Sequence, residues 1–372
     1  MPFNHDAAGV IIALADRVRS AAGAGTPLRI RGGGSKDFYG ETPAGELLDT
    51  APLAGITSYE PSELVVTAGA GTTLAELEAL LAEKGQCLPF EPPHFAKGAT
   101  VGGMVASGLS GPARASVGAV RDYVLGVKLI NGRGEHLTFG GQVMKNVAGY
   151  DVSRLMVGAM GTLGLITEVS LKVLPVPVAE ATLRFECSQQ QALDRLNAWG
   201  GQPLPLNASC WLEDAGAGTL YLRLRGALAA VEAACKGLGG ERMQNTQAAA
   251  DWQACRDQQL PWFTERSSGH DLWRLSLPQT AAVLSLPEPP FIEWHGAQRW
   301  VRAAPGHASA VRQTAAEAGG SATLFIAASA RQTDAPARFD ALKPPLDRIH
   351  RELKREFDPA GIFNRGRMSA NW

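Results

Sequence analysis

The chain has 372 residues, of which 45% are hydrophobic and 19% are charged, and its formal net charge is −1. This length predicts two domains, and the hydrophobic content is too high for a disordered protein. The only cluster of Lys and Arg, at residues 348–355, alternates with glutamates and indicates a solvated helix face. The charge pattern therefore argues against a nucleic-acid-binding protein.

The five cysteines are widely spaced, and no two of them form a C-x-x-C motif. We therefore expect no disulfide framework, no zinc or iron–sulfur site built from this chain, and no other bound metal. The first twenty residues lack a basic leader region, and no run of about 18 residues is both apolar and uncharged, so neither a signal peptide nor a membrane span is expected. We expect a cytoplasmic protein that reaches the inner membrane only indirectly, through a complex.

Short strands and helices joined by glycine loops make up the first half of the sequence. Asn131-Gly132-Arg133-Gly134 is a strong hairpin signal, and Thr72-Thr73 and Gly85 mark the two ends of a helix. The segment Pro175-Val176-Pro177 predicts a domain boundary. The predicted elements are strands at Leu28–Arg31, Glu63–Ala68, Tyr123–Ile130, Glu135–Phe139 and Leu165–Leu174, and a helix at Leu74–Lys84.

The second half predicts a different architecture, because its elements follow the β-α-β-β-α-β order of the ferredoxin-like split unit. These elements are strands at Ala181–Cys187, Ala208–Glu213, Thr219–Arg225 and Glu241–Gln244, and helices at Gln189–Trp199 and Leu228–Leu238. Strands at Leu272–Leu277, Phe291–Arg302 and Thr323–Ala327 extend the sheet, with helices near His307–Ala318 and at Leu346–Phe357. The sequence thus predicts an α+β fold with domains at residues 1–178 and 179–335, and a segment at 336–372 that packs back on the first domain.

The segment Arg31-Gly32-Gly33-Gly34-Ser35-Lys36 follows the first predicted strand. Three consecutive glycines allow backbone N–H groups to converge on a pyrophosphate, and we expect Gly33 to need a positive φ. Ser35 adds a hydroxyl donor, and Arg31 and Lys36 add positive charge. An ordinary turn is the alternative. The sequence contains no P-loop motif, and residues 69–74 lack the third glycine of a Rossmann motif, so neither of those nucleotide-binding folds is predicted.

Two further segments place small residues where a backbone can approach a flat ligand closely. One contains Pro93, Ala99-Thr100-Val101-Gly102-Gly103 and Ser107-Gly108-Leu109-Ser110-Gly111, and the other contains Gly161-Thr162-Leu163-Gly164-Leu165-Ile166. In order and spacing, the three segments resemble the FAD-binding domain of the p-cresol methylhydroxylase and vanillyl-alcohol oxidase family. The segments 141–155 and 272–278 and the pair Arg367-Met368 are similar to the FAD-binding subunit of bacterial glycolate oxidase, and this resemblance covers nearly the whole chain.

The resemblance implies a two-domain FAD-binding fold of the p-cresol methylhydroxylase type, with an antiparallel-sheet cap domain as the second domain. It also implies that residues 358–367 return to the flavin. Some relatives link the flavin through a histidine in the first loop, but this loop contains Gly34-Ser35-Lys36, so we expect non-covalent FAD. The predicted cofactor-binding residues are Arg31, Gly32, Gly33, Gly34, Ser35, Lys36, Pro93, Ala99, Thr100, Gly102, Gly103, Ser107, Gly108, Ser110, Gly111, Gly161, Thr162, Gly164, Leu165 and Ile166.

The function that the resemblance implies is that of an FAD-binding subunit in a glycolate oxidase complex, which oxidises a small 2-hydroxy acid, glycolate, to glyoxylate. Its implied partners are a larger FAD-containing subunit and an iron–sulfur subunit that carries electrons onward to quinone. Two alternatives remain open. The chain could be a catalytically silent FAD-binding subunit for assembly or electron relay, or a stand-alone FAD-dependent oxidase of a sugar or lactone.

Oxidation of a 2-hydroxy acid requires a cation for the carboxylate and a base for the hydroxyl proton. Larger relatives carry a histidine-rich metal motif for this purpose. The resemblance does not extend to that motif, because no two histidines of this chain are three or four residues apart. In the predicted strand Phe291–Arg302, alternation would place His295 and Arg299 on one face, so these two are the predicted catalytic residues. The alternative is a surface His and Arg beside buried tryptophans. Lys145 is a further candidate for a charge near the flavin.

Overall fold

A computed structural model describes residues 7–141, 151–214, 216–266, 269–328 and 336–370. Within these residues the chain divides into two compact units. The first unit comprises the described parts of Met1–Leu109, Ala119–Pro175 and Ala341–Trp372, and the second comprises those of Ser110–Gly118 and Val176–Asp340. Residues 110–118 therefore belong to the second unit, a detour of the chain that the sequence did not indicate.

The helices and strands are numbered along the chain. Up to residue 175 they are α1 (Ala7–Ala24), β1 (Leu28–Arg31), β2 (Glu46–Asp49), β3 (Ile56–Glu60), β4 (Val65–Gly69), α2 (Leu74–Ala82), β5 (Gln86–Cys87), α3 (Val101–Ser107), α4 (Arg114–Val117), α5 (Val120–Tyr123), β6 (Val124–Ile130), β7 (His136–Gly140), α6 (Val152–Leu155), β8 (Leu165–Lys172) and β9 (Leu174–Pro175). Beyond it they are β10 (Ala179–Glu186), α7 (Gln189–Gly200), β11 (Leu206–Asp214), β12 (Ala217–Gly226), α8 (Leu228–Leu238), β13 (Glu241–Arg242), α9 (Asn245–Arg256), α10 (Pro261–Thr264), β14 (Asp271–Ser276), β15 (Phe291–Glu293), β16 (Gln298–Ala303), α11 (Ala308–Glu317), β17 (Ser321–Ile326) and α12 (Leu346–Phe357). None of the helices in the described ranges is long and apolar enough to cross a membrane.

The first unit is built on a five-stranded antiparallel sheet in the order β3-β4-β8-β6-β7, and β1 and β2 form a separate parallel pair. The predicted hairpin is confirmed between β6 and β7, because Asn131 Oδ1 accepts from the backbone N–H groups of Arg133 and Glu135, each at 3.0 Å. The predicted start of α2 is also confirmed. Thr73 and Glu76 form a reciprocal capping box there, which satisfies two backbone donors at the helix end.

The second unit contains an eight-stranded sheet in the order β13-β10-β12-β11-β15-β16-β14-β17. Its first four strands, with α7 and α8, form the predicted β-α-β-β-α-β unit. Apolar side chains of this unit, among them Leu183, Leu220 and Leu222, pack against the two helices in one buried cluster. The predicted extension of the sheet toward the C-terminus is confirmed by β14 and β17, which pair with each other.

One predicted strand is wrong. The range Phe291–Arg302 forms two strands, β15 and β16, which pair antiparallel around the turn Trp294–Gly296. Trp294 and His295 both have left-handed backbone angles in this turn, with φ of 53° and 55°. Such angles are rare for bulky residues, so the sequence carried no signal for a reversal here. Helix α9 was not predicted either, because its Gln- and Ala-rich sequence has only a narrow apolar stripe at Ala248, Trp252 and Cys255.

Candidate functional site

A cavity of 350 Å³ in the first unit is bordered by all three glycine segments. Its walls come from the loop after β1, from α3 and from the turn that precedes β8. The predicted cofactor residues that line it are Arg31, Gly32, Gly33, Gly34, Ser35, Lys36, Thr100, Gly102, Gly103, Ser107, Gly161, Gly164 and Ile166. The fold therefore brings together three segments that lie far apart in the sequence.

The glycines in this wall are required for steric reasons. A Cβ atom on Gly33 would overlap the carbonyl oxygen of Gly98, and one on Gly32 would lie 2.6 Å from Thr100 Oγ1. The residue with a positive φ is Gly34, at 71°, and not Gly33. The expected positive φ at Gly33 is therefore wrong. Gly33 lacks a side chain because the first two glycine segments pack backbone against backbone.

Positive charge dominates the described lining of the cavity, where Arg29, Arg31, Lys36 and Arg367 face a single carboxylate, that of Asp37. Asp37 Oδ2 accepts from Arg31 Nε at 2.7 Å. Arg29 Nε is buried and has no hydrogen-bond partner in the described part of the chain. A buried donor without a protein partner indicates a ligand or water at that position, and the surplus of cations favours an anion.

The C-terminal segment closes one side of the cavity. Asn364 accepts from the backbone N–H of Ile30 at 2.8 Å and donates to the carbonyl oxygen of Met160 at 2.7 Å, so it joins the first and third glycine segments. Arg367 donates to the carbonyl oxygens of Lys36, Asp37 and Glu41, at 3.1, 3.3 and 2.8 Å. The guanidinium of Arg367 thereby holds the loop that follows the glycines.

A buried ion pair fixes this C-terminal segment. Lys354 Nζ donates to Asp358 Oδ2 at 2.7 Å, to the carbonyl oxygen of Thr162 at 2.7 Å and to that of Phe363 at 2.9 Å. Burial lowers the pKa of Lys354, and the nearby charge of Asp358 opposes that shift. Since Thr162 belongs to the third glycine segment, the pair ties the last helix to a segment that borders the cavity.

Several predicted cofactor residues do not line the cavity. Pro93, Ala99, Gly108, Thr162 and Leu165 lie elsewhere in the first unit, where Gly108 caps α3 with φ of 63° and Thr162 Oγ1 donates to the carbonyl oxygen of Ala159 at 2.7 Å. Ser110 and Gly111 lie in the second unit. Residues 142–150, which include Lys145, lie outside the described residues. The cofactor assignment of all these positions stays a prediction.

Sequence reasoning missed other lining residues. They are Arg29, Ile30, Tyr39, Thr42, Pro43, Thr50, Ala70, Ala106 and Met160. Tyr39 and Thr42 follow the glycine run closely, so their position in the chain was a usable signal. Met160 directly precedes Gly161 in the third glycine segment, so its position was a usable signal as well, whereas its left-handed backbone, with φ of 52°, is rare for a Met.

The turn between β15 and β16 sets the surroundings of the predicted catalytic residues. His295 Nδ1 and Nε2 lie 2.9 Å from Ser209 Oγ and 3.0 Å from Ser116 Oγ, so both ring nitrogens are hydrogen-bonded. Burial lowers the pKa of His295 to about 4. Arg299 is fully buried and donates to the carbonyl oxygens of Ala281 and Ala282 at 2.5 and 2.6 Å. The expected alternation on one strand face does not apply, because the chain reverses between the two residues.

The cavity of the first unit fits the pyrophosphate and adjoining groups of FAD. It combines backbone that a ligand can approach closely, four cations and the unpaired Arg29 Nε. The family model described as FAD binding domain matches residues 11–140, which include the first two glycine segments. The glycolate oxidase subunit GlcE of Escherichia coli (strain K12) is 46% identical over 358 residues, covering 96% of this chain and 97% of that subunit.

The chain belongs to the family of the glycolate oxidase subunit GlcE. As predicted, this GlcE family member is a flavoprotein with FAD as its cofactor. The glycolate oxidase subunit GlcD of Bacillus subtilis (strain 168) is 32% identical over 159 residues, which cover 42% of this chain but only 34% of that subunit. The likeness to GlcD is thus confined to part of each protein.

The fold is confirmed by a solved structure of alkyldihydroxyacetonephosphate synthase. The match covers 94% of this chain and 73% of the synthase chain, with a TM-score of 0.63 and 15% sequence identity. At this identity the likeness concerns the fold alone. Together with the FAD binding domain match, it supports the predicted α+β fold of the p-cresol methylhydroxylase type for this GlcE family member.

Proposed function

We propose that this chain is the FAD-binding subunit of a glycolate oxidase complex that oxidises glycolate to glyoxylate, and that it works with a larger FAD-containing subunit. The observation that carries the proposal is the glycine-walled, cation-rich cavity in a chain of the GlcE family. FAD bound there would accept the two electrons removed from the substrate. An iron–sulfur subunit is the proposed next carrier of those electrons, and the complex is the proposed route to the inner membrane.

The FAD is proposed to bind non-covalently. The first loop, residues 31–36, contains no histidine, cysteine or tyrosine that could form a bond to the flavin. Binding would instead rest on charge-assisted hydrogen bonds from Arg29, Arg31 or Lys36 to the phosphates. In addition, Gly32 and Gly33 would let the backbone approach them.

A second candidate is an electron-relay subunit that does not itself oxidise glycolate. It is favoured by the contacts of Arg299, whose guanidinium is fully buried and already donates to backbone carbonyls. His295 has both ring nitrogens hydrogen-bonded, and its lowered pKa makes it a weak base. A catalytic role of these two residues stays a prediction, which requires both to be released from these contacts.

Anaerobic mixing with glycolate distinguishes the candidates. The flavin absorbance is followed in the isolated chain and in the complex reconstituted with the larger subunit. Bleaching in the isolated chain would support direct oxidation, and bleaching only in the complex would support electron relay. If glycolate bleaches neither preparation while an aldonolactone bleaches the isolated chain, the glycolate oxidase proposal is wrong and the stand-alone oxidase is favoured.

The variants His295→Ala and Arg299→Ala refine this result in the reconstituted complex. Loss of a positioned acid–base group lowers turnover by about a hundredfold or more. We expect His295→Ala to retain most of the glycolate-dependent dye reduction, measured per bound FAD. A hundredfold loss with normal FAD content and assembly would instead assign the chemistry to this turn.

A further inference from the structure

The second unit contains a cavity of 700 Å³ that no part of the proposed function uses. It is lined by residues of β10, β11, β12, α9 and α10 and by the segments that flank α10, all within the second unit. Its buried lining residues are Thr182, Cys210, Ala248, Trp252 and Cys255. This volume is in the range of small-molecule sites.

Aromatic side chains form much of the wall of this second-unit cavity, namely Tyr221, Trp252 and Trp262. Both indole rings already contact a cation within the protein. The guanidinium of Arg223 lies 4.8 Å from the ring centroid of Trp252, and that of Arg302 lies 4.3 Å from the ring centroid of Trp262. These contacts show that each indole ring accepts a cation over its face, and they fix the positions of both rings without a ligand.

The position of Trp252 is also fixed by a hydrogen bond, from its Nε1 to Thr182 Oγ1 at 3.0 Å. Trp262 packs against Phe263 and Phe291, with ring centroids 5.0 and 5.5 Å apart. Rings held in this way provide a rigid apolar surface. Binding would therefore cost conformational entropy of the ligand but little of the cavity wall.

Carboxylates dominate the charge of the lining. Glu213, Asp251, Glu265 and Glu288 face one cation among the described lining residues, Arg302, so the formal charge is −3 from four carboxylates and one guanidinium. Glu213, Glu265 and Glu288 are exposed. The Arg302 guanidinium lies over the Trp262 ring and donates through Nη2 to the carbonyl oxygen of Trp262, whereas its Nε is buried and has no hydrogen-bond partner among the described residues. The second-unit cavity thus joins an apolar aromatic wall to an acidic rim.

We propose that the second-unit cavity binds an organic cation, with its apolar body against Trp252 and Trp262 and its charge toward Glu265 and Glu288. The aromatic wall favours cations over neutral groups of equal size, and the acidic rim rejects anions. The same chemistry is offered by a free arylammonium or alkylammonium compound and by a Lys or Arg side chain of a partner subunit.

Calorimetric titration of the full chain tests the proposal with three probes of similar size. These are benzyltrimethylammonium, benzyl alcohol and benzenesulfonate, which are cationic, neutral and anionic. We expect saturable binding of the cation with a Kd at least about tenfold below that of the alcohol, and no binding of the sulfonate. Lack of saturable binding, or equal binding of the alcohol, would overturn the proposal.

Substitutions at the exposed rim and in the aromatic wall test the site. Glu265→Gln combined with Glu288→Gln should raise the Kd of the cation about fivefold and reduce its dependence on salt. Trp262→Leu should raise it about tenfold, through the loss of one aromatic surface. Glu317→Gln on α11 is the matched control, because Glu317 is exposed and does not line this cavity. An equal loss in the control would show that only net charge matters and would refute the site.

The source of the cation is assigned by adding benzyltrimethylammonium during reconstitution with the larger subunit. If the probe competes with assembly in the native chain but not in the rim double variant, the natural guest is a basic side chain of the partner. If assembly is unaffected while the probe still binds the assembled complex, the guest is a free amine. Both outcomes support the cation site. A probe that binds neither the chain nor the complex refutes it.

Discussion

The cavity of the first unit and the buried polar face of the second unit's sheet are built from opposite kinds of residue. In the first unit, Gly32, Gly33 and Gly34 present backbone to a ligand, and side chains are absent where they would block it. Around the β15–β16 turn of the second unit, by contrast, buried polar side chains are hydrogen-bonded to one another. Glu293 accepts from Gln298 Nε2 at 2.9 Å and from Trp300 Nε1 at 2.6 Å.

This difference determines where a ligand can gain binding energy. A polar group already paired in the folded protein has little to offer a ligand, because the existing hydrogen bond would have to be broken first. Arg299 is such a group, whereas Arg29 Nε in the first unit has no partner within the described residues. The cavity of the first unit is thus suited to an anionic cofactor, whereas the polar residues around the β15–β16 turn stabilise the fold.

The largest effect is expected when a side chain is added to the glycine wall of the first-unit cavity. Gly33→Ala and Gly33→Val both place a Cβ atom onto the carbonyl oxygen of Gly98. We expect purified protein with less than about a tenth of the normal FAD content, since the first two glycine segments can no longer pack together. Gly23→Ala in α1 is the control, because nothing lies near its Cβ position. Full FAD occupancy in Gly33→Val would show that the loop is an ordinary turn.

The next largest effect is expected at the buried ion pair of the first unit, Lys354 and Asp358. Lys354→Met removes the cation and leaves the Asp358 carboxylate buried, with the backbone N–H groups of Ile362 and Phe363 as its remaining donors. We expect the free energy of unfolding to fall by about 4 kcal/mol. Urea denaturation followed by far-UV circular dichroism measures this change. Lys84→Met, at an exposed position, should leave it unaltered.

The stability of the second unit should depend on pH through His295. Its folded-state pKa of about 4 lies below the usual 6.5, so the unfolded chain binds the proton more readily between these values. Stability is therefore fully present above about pH 6.5 and is lost as the pH falls toward 4, by at most about 3 kcal/mol.

Unfolding curves at several pH values for His295→Asn test this dependence. Asn tolerates the left-handed backbone and does not titrate, so the loss between pH 6.5 and 4 should shrink. His307→Asn, at an exposed position, should keep the dependence of the wild type. An unchanged pH profile in His295→Asn would mean that His295 does not control the acid sensitivity.

A smaller effect is expected at the C-terminal border of the first-unit cavity. Arg367→Ala removes the donor to the carbonyl oxygens of Lys36, Asp37 and Glu41, so the loop after the glycines becomes less well ordered. We expect the Kd for FAD to rise about tenfold, the equivalent of one charged hydrogen bond, with little change in stability. Arg365→Ala, two residues away, is the control. Within the described residues, the Arg365 side chain donates its hydrogen bond to the carbonyl oxygen of Gly361. Equal affinities for FAD in the two variants would show that Arg367 does not contribute to FAD binding.

Much of the fold was predictable because local signals agree with it. The hairpin at residues 131–134 and the capped start of α2 depend on contacts within five residues, and α8 and α12 have the predicted bounds. The turn at Trp294–Gly296 was not predictable. Its backbone is held by contacts distant in sequence, such as the hydrogen bond from Trp294 Nε1 to the carbonyl oxygen of Gly111 at 3.0 Å.

The site was predictable to the extent that glycine marks it. Gly32, Gly102 and Gly161 border the cavity as expected, because close backbone approach leaves a trace in the sequence. The reason for a glycine at position 33 was misjudged. The backbone that excludes a side chain there belongs to Gly98, which is distant from Gly33 in the sequence. Residues such as Thr50 line the cavity only because of the tertiary fold, and nothing in their local sequence indicates it.

Acid precipitation of the purified chain tests directly whether this protein holds FAD without a covalent bond. We predict a yellow protein whose flavin passes entirely into the supernatant and is identified there, by mass and by chromatography, as intact FAD in about equimolar amount to the chain. Flavin that stays with the pellet would contradict non-covalent binding, and FMN in the supernatant would contradict the adenine-binding part of the site. A colourless chain that acquires no flavin on incubation with FAD would contradict the claim that this cavity holds the cofactor.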